Sequence, residues 1–133
     1  DDLFENMLEF TLGQMRSLLL KDTENLHGPQ KTEVVLKRYC NIAHRDFPER
    51  GCALASLAAE LHRGTSKIDR IVANYIEKWA EIIVENLDSN LPIEDRKATA
   101  LQYISRSIGA LLLSRMVKET SLSEALLKAA QKV

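Results

Sequence analysis

Few side chains in this sequence have the types and spacing that catalysis or metal binding requires. The three histidines, His27, His44 and His62, lie far apart and match no metal-ligand spacing such as HExxH. The sequence contains neither a glycine-rich phosphate loop nor a serine in a GxSxG context. We therefore expect a protein that is not an enzyme and that needs no metal or cofactor.

The two cysteines are the remaining candidates for chemistry. Cys52 follows Gly51 at the start of a predicted helix, where the helix dipole can activate a thiol, so it is a possible reactive thiol. The alternative, which we favour, is that Cys52 is a small buried residue at a tight helix start. Cys40 lies on the apolar face of a predicted helix, and we expect it in the core. Two cysteines are too few for a disulfide scaffold, which favours the reducing cytoplasm.

An aromatic pair offers the clearest candidate for binding. Tyr75 and Trp79 are one helical turn apart and therefore share a face of a predicted helix. They could line an apolar ligand pocket, in which each ring also carries a polar group. They could equally be part of the core, and the residues alone leave both interpretations open.

Apolar residues recur at helical spacing along the whole sequence, which predicts an all-α fold of six helices and no strands. The predicted helices cover residues 1–20, 29–41, 52–63, 67–88, 92–118 and 121–132. A turn is predicted over 44–51, and Ser-x-x-Asp and Ser-x-x-Glu patterns predict N-terminal caps at Ser66 and Ser121. Around residues 109–113 the fifth helix is apolar on several faces, which indicates burial on more than one side.

The totals restrict the class of protein further. A chain of 133 residues fits a single domain, and 45% hydrophobic with 28% charged residues excludes a disordered chain. The net charge of −1 provides no basic surface for nucleic acid. No apolar run approaches the roughly 18 residues of a bilayer span, and no signal peptide is present, so we expect no membrane association.

The segment 43–61 carries a family resemblance. It reads AHRDFPERGCALASLAAEL, which resembles the middle of the effector-binding domain of TetR-family transcriptional regulators. It is most similar to the branch in which Gly-Cys opens the sixth helix of the full-length protein. The resemblance implies a six-helix regulatory domain over 1–133, in which 1–20 is the connecting helix and 92–133 contains the dimerisation helices. It also implies an N-terminal helix-turn-helix domain that is absent from this sequence.

The resemblance implies a function for particular residues. A small, hydrophobic effector would bind between the first five helices and shift the first of them, which alters DNA binding by the absent domain. The implied ligand-binding residues are Phe10, Gln14, Met15, Tyr75, Trp79, Tyr103 and Ser107. The last two helices would pair with those of a second copy in a four-helix bundle. The candidate dimer-interface residues are Gly109, Leu112, Leu113, Met116, Leu122, Leu126 and Ala129.

The sequence therefore favours the ligand-sensing and dimerisation domain of a TetR-like transcriptional repressor, cytoplasmic and homodimeric. Operator DNA would be contacted only through the absent N-terminal domain. A free-standing helical ligand-binding or adaptor module is the first alternative, and what precedes Asp1 discriminates the two. Because some regulators of this family sense electrophiles or oxidants with a cysteine, a redox sensor using Cys52 is the second alternative.

Overall fold

The chain is all-helical in the computed structural model, which describes residues 2–133 and contains no strand in that range. This confirms the predicted all-α class. The helices are α1 (Asp2–Leu20), α2 (Gly28–Tyr39), α3 (Ile42–Asp46), α4 (Ala53–Ser56), α5 (Ala58–Leu61), α6 (Ser66–Glu85), α7 (Ile93–Met116) and α8 (Ser121–Ala130). Asp1, the predicted start of the first helix, lies outside the described residues. None of the helices between residues 2 and 133 is both long and apolar enough to cross a bilayer.

The long helices α1, α2, α6, α7 and α8 agree closely with the predicted ones. Two of their starts are fixed by proline, which has no N–H to leave unpaired and a φ angle already suited to a first turn. Pro29 lies in the first turn of α2, and Pro92 immediately precedes the first residue of α7.

The prediction of one continuous helix over 52–63 is wrong. The structure has two short helices there, α4 and α5, which Leu57 separates with φ −114° and ψ 16°. The hydroxyl of Ser56 donates to the carbonyl oxygen of Pro48 at 3.1 Å, which ties the end of α4 to the preceding turn. Apolar spacing continues across Leu57, so it could not reveal this interruption.

The segment predicted as a turn over 44–51 is itself partly helical. Helix α3 begins after Asn41, whose side-chain oxygen accepts from the backbone N–H of His44 at 2.8 Å. A 3₁₀ turn, Pro48–Arg50, follows it. A helix of five residues is too short for an apolar period to appear, and only the capping asparagine marks it.

Both predicted N-terminal caps are also wrong, because the residue at each N-cap position is the threonine one position earlier. Thr65 caps α6, and its hydroxyl accepts from the backbone N–H of Ile68 at 3.4 Å. Thr120 precedes α8 without a side-chain cap. Ser66 and Ser121 are instead the first helical residues.

The core forms where the long helices surround the short α4. Helix α1 packs against α2, α4 and α6, while α7 packs against α3, α4, α6 and α8. The inward face of α1 carries apolar residues three or four positions apart, which are Leu8, Leu12, Met15 and Leu19. All four residues from 52 to 55 are buried between these helices. Within the segment that carries the family resemblance, residues 52–55 are therefore enclosed at the centre of the fold, whereas 47–50 and 58–60 are exposed.

Candidate functional site

The imidazole of His44 holds this central segment in place. Its Nε2 accepts the backbone N–H of Cys52 at 2.9 Å, and its Nδ1 lies 2.7 Å from the carbonyl oxygen of Tyr39. The N–H of Cys52 can only donate, so Nε2 must be the unprotonated nitrogen. The carbonyl oxygen of Tyr39 can only accept, so Nδ1 carries the proton and the ring is neutral. Burial lowers the pKa of His44, and the charge of Arg115 lowers it further, against the opposing effect of the Tyr39 carbonyl.

The glycine of the Gly-Cys pair is explained by the same imidazole. A Cβ atom built on Gly51 would overlap Nε2 and Cδ2 of His44. A residue without a side chain is therefore required for the ring to approach the backbone and accept from Cys52.

Arginines connect this segment to α7 and α8. Arg115 of α7 donates to the carbonyl oxygens of His44 at 2.7 Å and Arg45 at 3.1 Å. Arg45 in turn donates to the hydroxyl of Ser123 in α8 at 3.0 Å. We call His44, Arg45 and Arg115 with these contacts the His44 junction. It fixes the residues before α4 to the two helices predicted to dimerise.

An apolar cavity of about 60 Å³ lies beside the junction, between α1, α2, α4, α6 and α7. We call it the tyrosine cavity, because three tyrosines contribute to its wall. Among the described residues that line it, none is charged. They are Leu19, Val35, Leu36, Tyr39, Cys52, Leu54, Tyr75, Ile76, Trp79, Ile83, Tyr103, Ile104, Ser107 and Ile108.

Four residues of the predicted ligand site line this cavity together, namely Tyr75, Trp79, Tyr103 and Ser107. The rings of Tyr75 and Trp79 meet edge to face, with 6.4 Å between their centroids. The hydroxyl of Ser107 donates to the carbonyl oxygen of Tyr103 at 2.7 Å. Burial raises the pKa of Tyr75 to about 12, so this side chain stays neutral at physiological pH.

The three predicted site residues of α1 lie elsewhere. Phe10 is 66% exposed, and Gln14 is exposed beside it on an open surface depression. Met15 is buried in the core but does not line the tyrosine cavity. The orientation of α1 explains this difference. Its buried face reaches the cavity only at Leu19, and Phe10 and Gln14 lie on the face that is exposed to solvent.

Both thiols are buried. Cys52 is 1% exposed and lines the tyrosine cavity, while Cys40 lies in the core behind α7. The Cys40 thiol donates to the carbonyl oxygen of Ser107 at 3.9 Å. Burial raises the pKa of the Cys40 thiol to about 11, although the contact with Ser107 and the charge of Arg106 lower it.

Tyr39 is a wall residue that the sequence analysis did not single out. It is 7% exposed, and its buried hydroxyl has no hydrogen-bond partner within residues 2–133. Burial raises the pKa of Tyr39 far above its usual value, and the neighbouring Cys52, Cys40 and Tyr75 raise it further. An interaction with the Cys52 thiol contributes to this raised pKa, but no hydrogen bond between the thiol and the Tyr39 hydroxyl has normal geometry. The only signal in the sequence is a tyrosine on the apolar face of α2.

The predicted dimer-interface residues lie on α7 and α8, and we call this set of residues the α7–α8 face. Met116, Leu122 and Leu113 are 76%, 55% and 48% exposed. Leu112, Leu126 and Gly109 are half-buried, and Ala129 is exposed. A Cβ atom on Gly109 would meet nothing within 4 Å among the described atoms. This face is uncovered in the single chain.

The tyrosine cavity is a candidate binding site. Within residues 2–133, no three His, Cys, Asp or Glu side chains are grouped as metal ligands. The tyrosine cavity offers apolar surface with a few hydroxyl and thiol groups, which suits an uncharged ligand.

No protein-family model matches this chain, and no curated protein matches it.

Proposed function

We propose that this chain is the effector-binding and dimerisation domain of a TetR-like transcriptional repressor. The main observation in support of the proposal is that α7 contributes residues to both the tyrosine cavity and the α7–α8 face. Tyr103 and Ser107 line the cavity, while Leu113 and Met116 of the same helix point outward. A molecule that binds in the cavity thus contacts a helix that a second copy would also contact. The resemblance of segment 43–61 supports the same function.

Ligand binding must widen the cavity. Its volume of about 60 Å³ is below the roughly 300–1,000 Å³ of small-molecule sites. An effector therefore favours a conformation in which the surrounding helices lie further apart, and its differential affinity for that conformation shifts the equilibrium. In a regulator, such a shift of α1 would alter the spacing of the DNA-binding domains, which lie outside these residues.

Dimerisation would cover the α7–α8 face. Two copies would pair α7 and α8 about a two-fold axis in a four-helix bundle, each presenting the same surface to the other. A stable interface of this kind buries more than about 1,000 Å² in total. The exposed side chains of Leu113, Met116 and Leu122 would supply apolar surface to it.

Sedimentation velocity tests the proposal directly. We expect the wild-type chain to be a dimer and Met116→Arg to be a monomer, because an unpaired charge in an apolar interface is costly. Ile93→Arg is the matched control, since Ile93 is a 56% exposed residue at the other end of α7. The control should remain dimeric, and both variants should keep the wild-type circular dichroism spectrum. A wild-type monomer at tens of micromolar would refute the proposed dimerisation.

A further inference from the structure

The hydroxyl of Tyr39 is an exception to normal hydrogen bonding. Buried polar groups almost always have a partner, because an unpaired one loses its contacts with water without replacement. This hydroxyl is buried and lacks a partner among residues 2–133. Such an exception calls for a specific explanation, and binding of a ligand with an acceptor oxygen would provide one.

Tyr39 belongs to the wall of the tyrosine cavity. Tyr39 and its neighbours Cys52 and Tyr75 all line the tyrosine cavity. The opposite end of the residue is already engaged, since its carbonyl oxygen accepts from His44 at 2.7 Å and its ring meets that imidazole edge-on at 4.7 Å. The backbone carbonyl and the ring are therefore engaged, and the buried hydroxyl is the group of this side chain left without a partner among residues 2–133.

The wall determines the class of molecule that fits. No charged side chain is present among its described residues, so an ion would lose its hydration without gaining a counter-charge. The raised pKa of Tyr39 keeps its proton in place at physiological pH, so the hydroxyl can donate. A partner for this donor is a carbonyl, ether or hydroxyl oxygen, while the aliphatic and aromatic wall suits an otherwise apolar body.

We propose that Tyr39 is the polar anchor of the tyrosine cavity, which takes an uncharged, mainly apolar molecule whose carbonyl or other acceptor oxygen receives the Tyr39 hydroxyl. This inference rests on the proposed ligand-binding function, to which it adds one anchoring residue and one class of ligand. A cavity of about 150 Å³ holds a benzene ring, so the tyrosine cavity of about 60 Å³ must widen even for a one-ring ligand, and a ligand of that size is the first probe because it requires the least widening.

Two probes of matched shape test the anchor. Cyclohexanone carries the acceptor oxygen, and methylenecyclohexane replaces that oxygen with an apolar CH₂ group. Trp79 is the only tryptophan of the chain and lines the cavity, so its emission reports binding of either probe. We expect Tyr39→Phe to weaken cyclohexanone binding about fivefold, the equivalent of one ordinary hydrogen bond. Binding of methylenecyclohexane should change less than about twofold.

Thermal unfolding without any probe gives an independent measurement. Because Tyr39→Phe removes an unpaired buried hydroxyl, the variant should unfold at the same or a higher temperature than the wild type. A lower midpoint would mean that the hydroxyl makes a structural hydrogen bond, and it would overturn the anchor.

The outcomes separate this inference from the function on which it rests. If both probes bind the wild type and Tyr39→Phe changes neither affinity, the anchor is wrong while the cavity remains a binding site. If neither probe changes Trp79 emission up to its solubility limit, the ligand-binding function fails and the anchor fails with it.

Discussion

Replacing Gly51 by alanine is the sharpest test of the central segment. The added Cβ would overlap the imidazole of His44, so the ring must leave its position against the backbone. Its departure breaks the hydrogen bond to the N–H of Cys52 and the one to the carbonyl of Tyr39. The Gly-Cys pair would then no longer be held at the entrance of α4.

The expected loss of stability follows from these contacts. Loss of the hydrogen bond to the Tyr39 carbonyl costs about 1 kcal/mol, and the Cys52 N–H left unpaired in a buried residue costs about 1–3 kcal/mol. Cys52 is 1% exposed, so water replaces its lost partner poorly. We therefore expect Gly51→Ala to lower the free energy of unfolding by roughly 2–4 kcal/mol.

Urea denaturation followed by circular dichroism measures this difference. Gly13→Ala is the matched control, because Gly13 lies inside α1 and no described atom lies within 4 Å of a Cβ there. Alanine should stabilise that helix by roughly 0.5–1 kcal/mol, since it restricts the unfolded chain more than glycine does. If Gly51→Ala proved as stable as the wild type, the proposed reason for a glycine at this position would be refuted.

Two further predictions concern the protonation and the reactivity of the same region. Because burial lowers the pKa of His44 in the folded state, the unfolded chain takes up this proton first as the pH falls below about 6.5. Acid should therefore destabilise the wild type more than His44→Gln. The difference in slope should be less than about 1.4 kcal/mol per pH unit, which is the limit for one proton, because solvent screens the partly exposed ring. Urea titrations at several pH values measure this difference, and equal slopes for the two proteins would contradict the prediction. Since Cys52 and Cys40 are 1% and 0% exposed, Ellman's reagent should modify both only at the rate of unfolding or local opening, and rapid modification of the native protein would favour the cysteine-sensor alternative.

The long helices could be predicted because their apolar period is unambiguous. In α6, Ile68, Tyr75, Trp79 and Ile83 keep helical register, and all four are buried. In α1 the same method identifies the helix but not its inward face, because apolar residues also occupy the outward side. Met7 and Phe10 are 58% and 66% exposed although both fit the helical pattern.

The candidate site could be predicted only where it follows helical periodicity. Tyr75 and Trp79 share a face by spacing alone, and the structure places both in the cavity wall. The contacts of His44 reach five residues back and eight forward through a 3₁₀ turn, and no regular period relates these positions. The missing partner of the Tyr39 hydroxyl is a property of the packed core, so no local pattern in the sequence could reveal it.

The His44 junction gives the two parts of the proposed function a shared structural element. Cys52 lines the cavity with its side chain, while its backbone N–H is held by His44. The carbonyl oxygen of His44 is bound by Arg115, which lies next to Met116 at the end of α7. A molecule that widens the cavity at Cys52 would therefore displace a residue that is linked to the α7–α8 face by two hydrogen bonds. The first joins Cys52 to His44, and the second joins His44 to Arg115. Because both steps use backbone atoms, even small shifts of the segment before α4 require the end of α7 to move or these contacts to break.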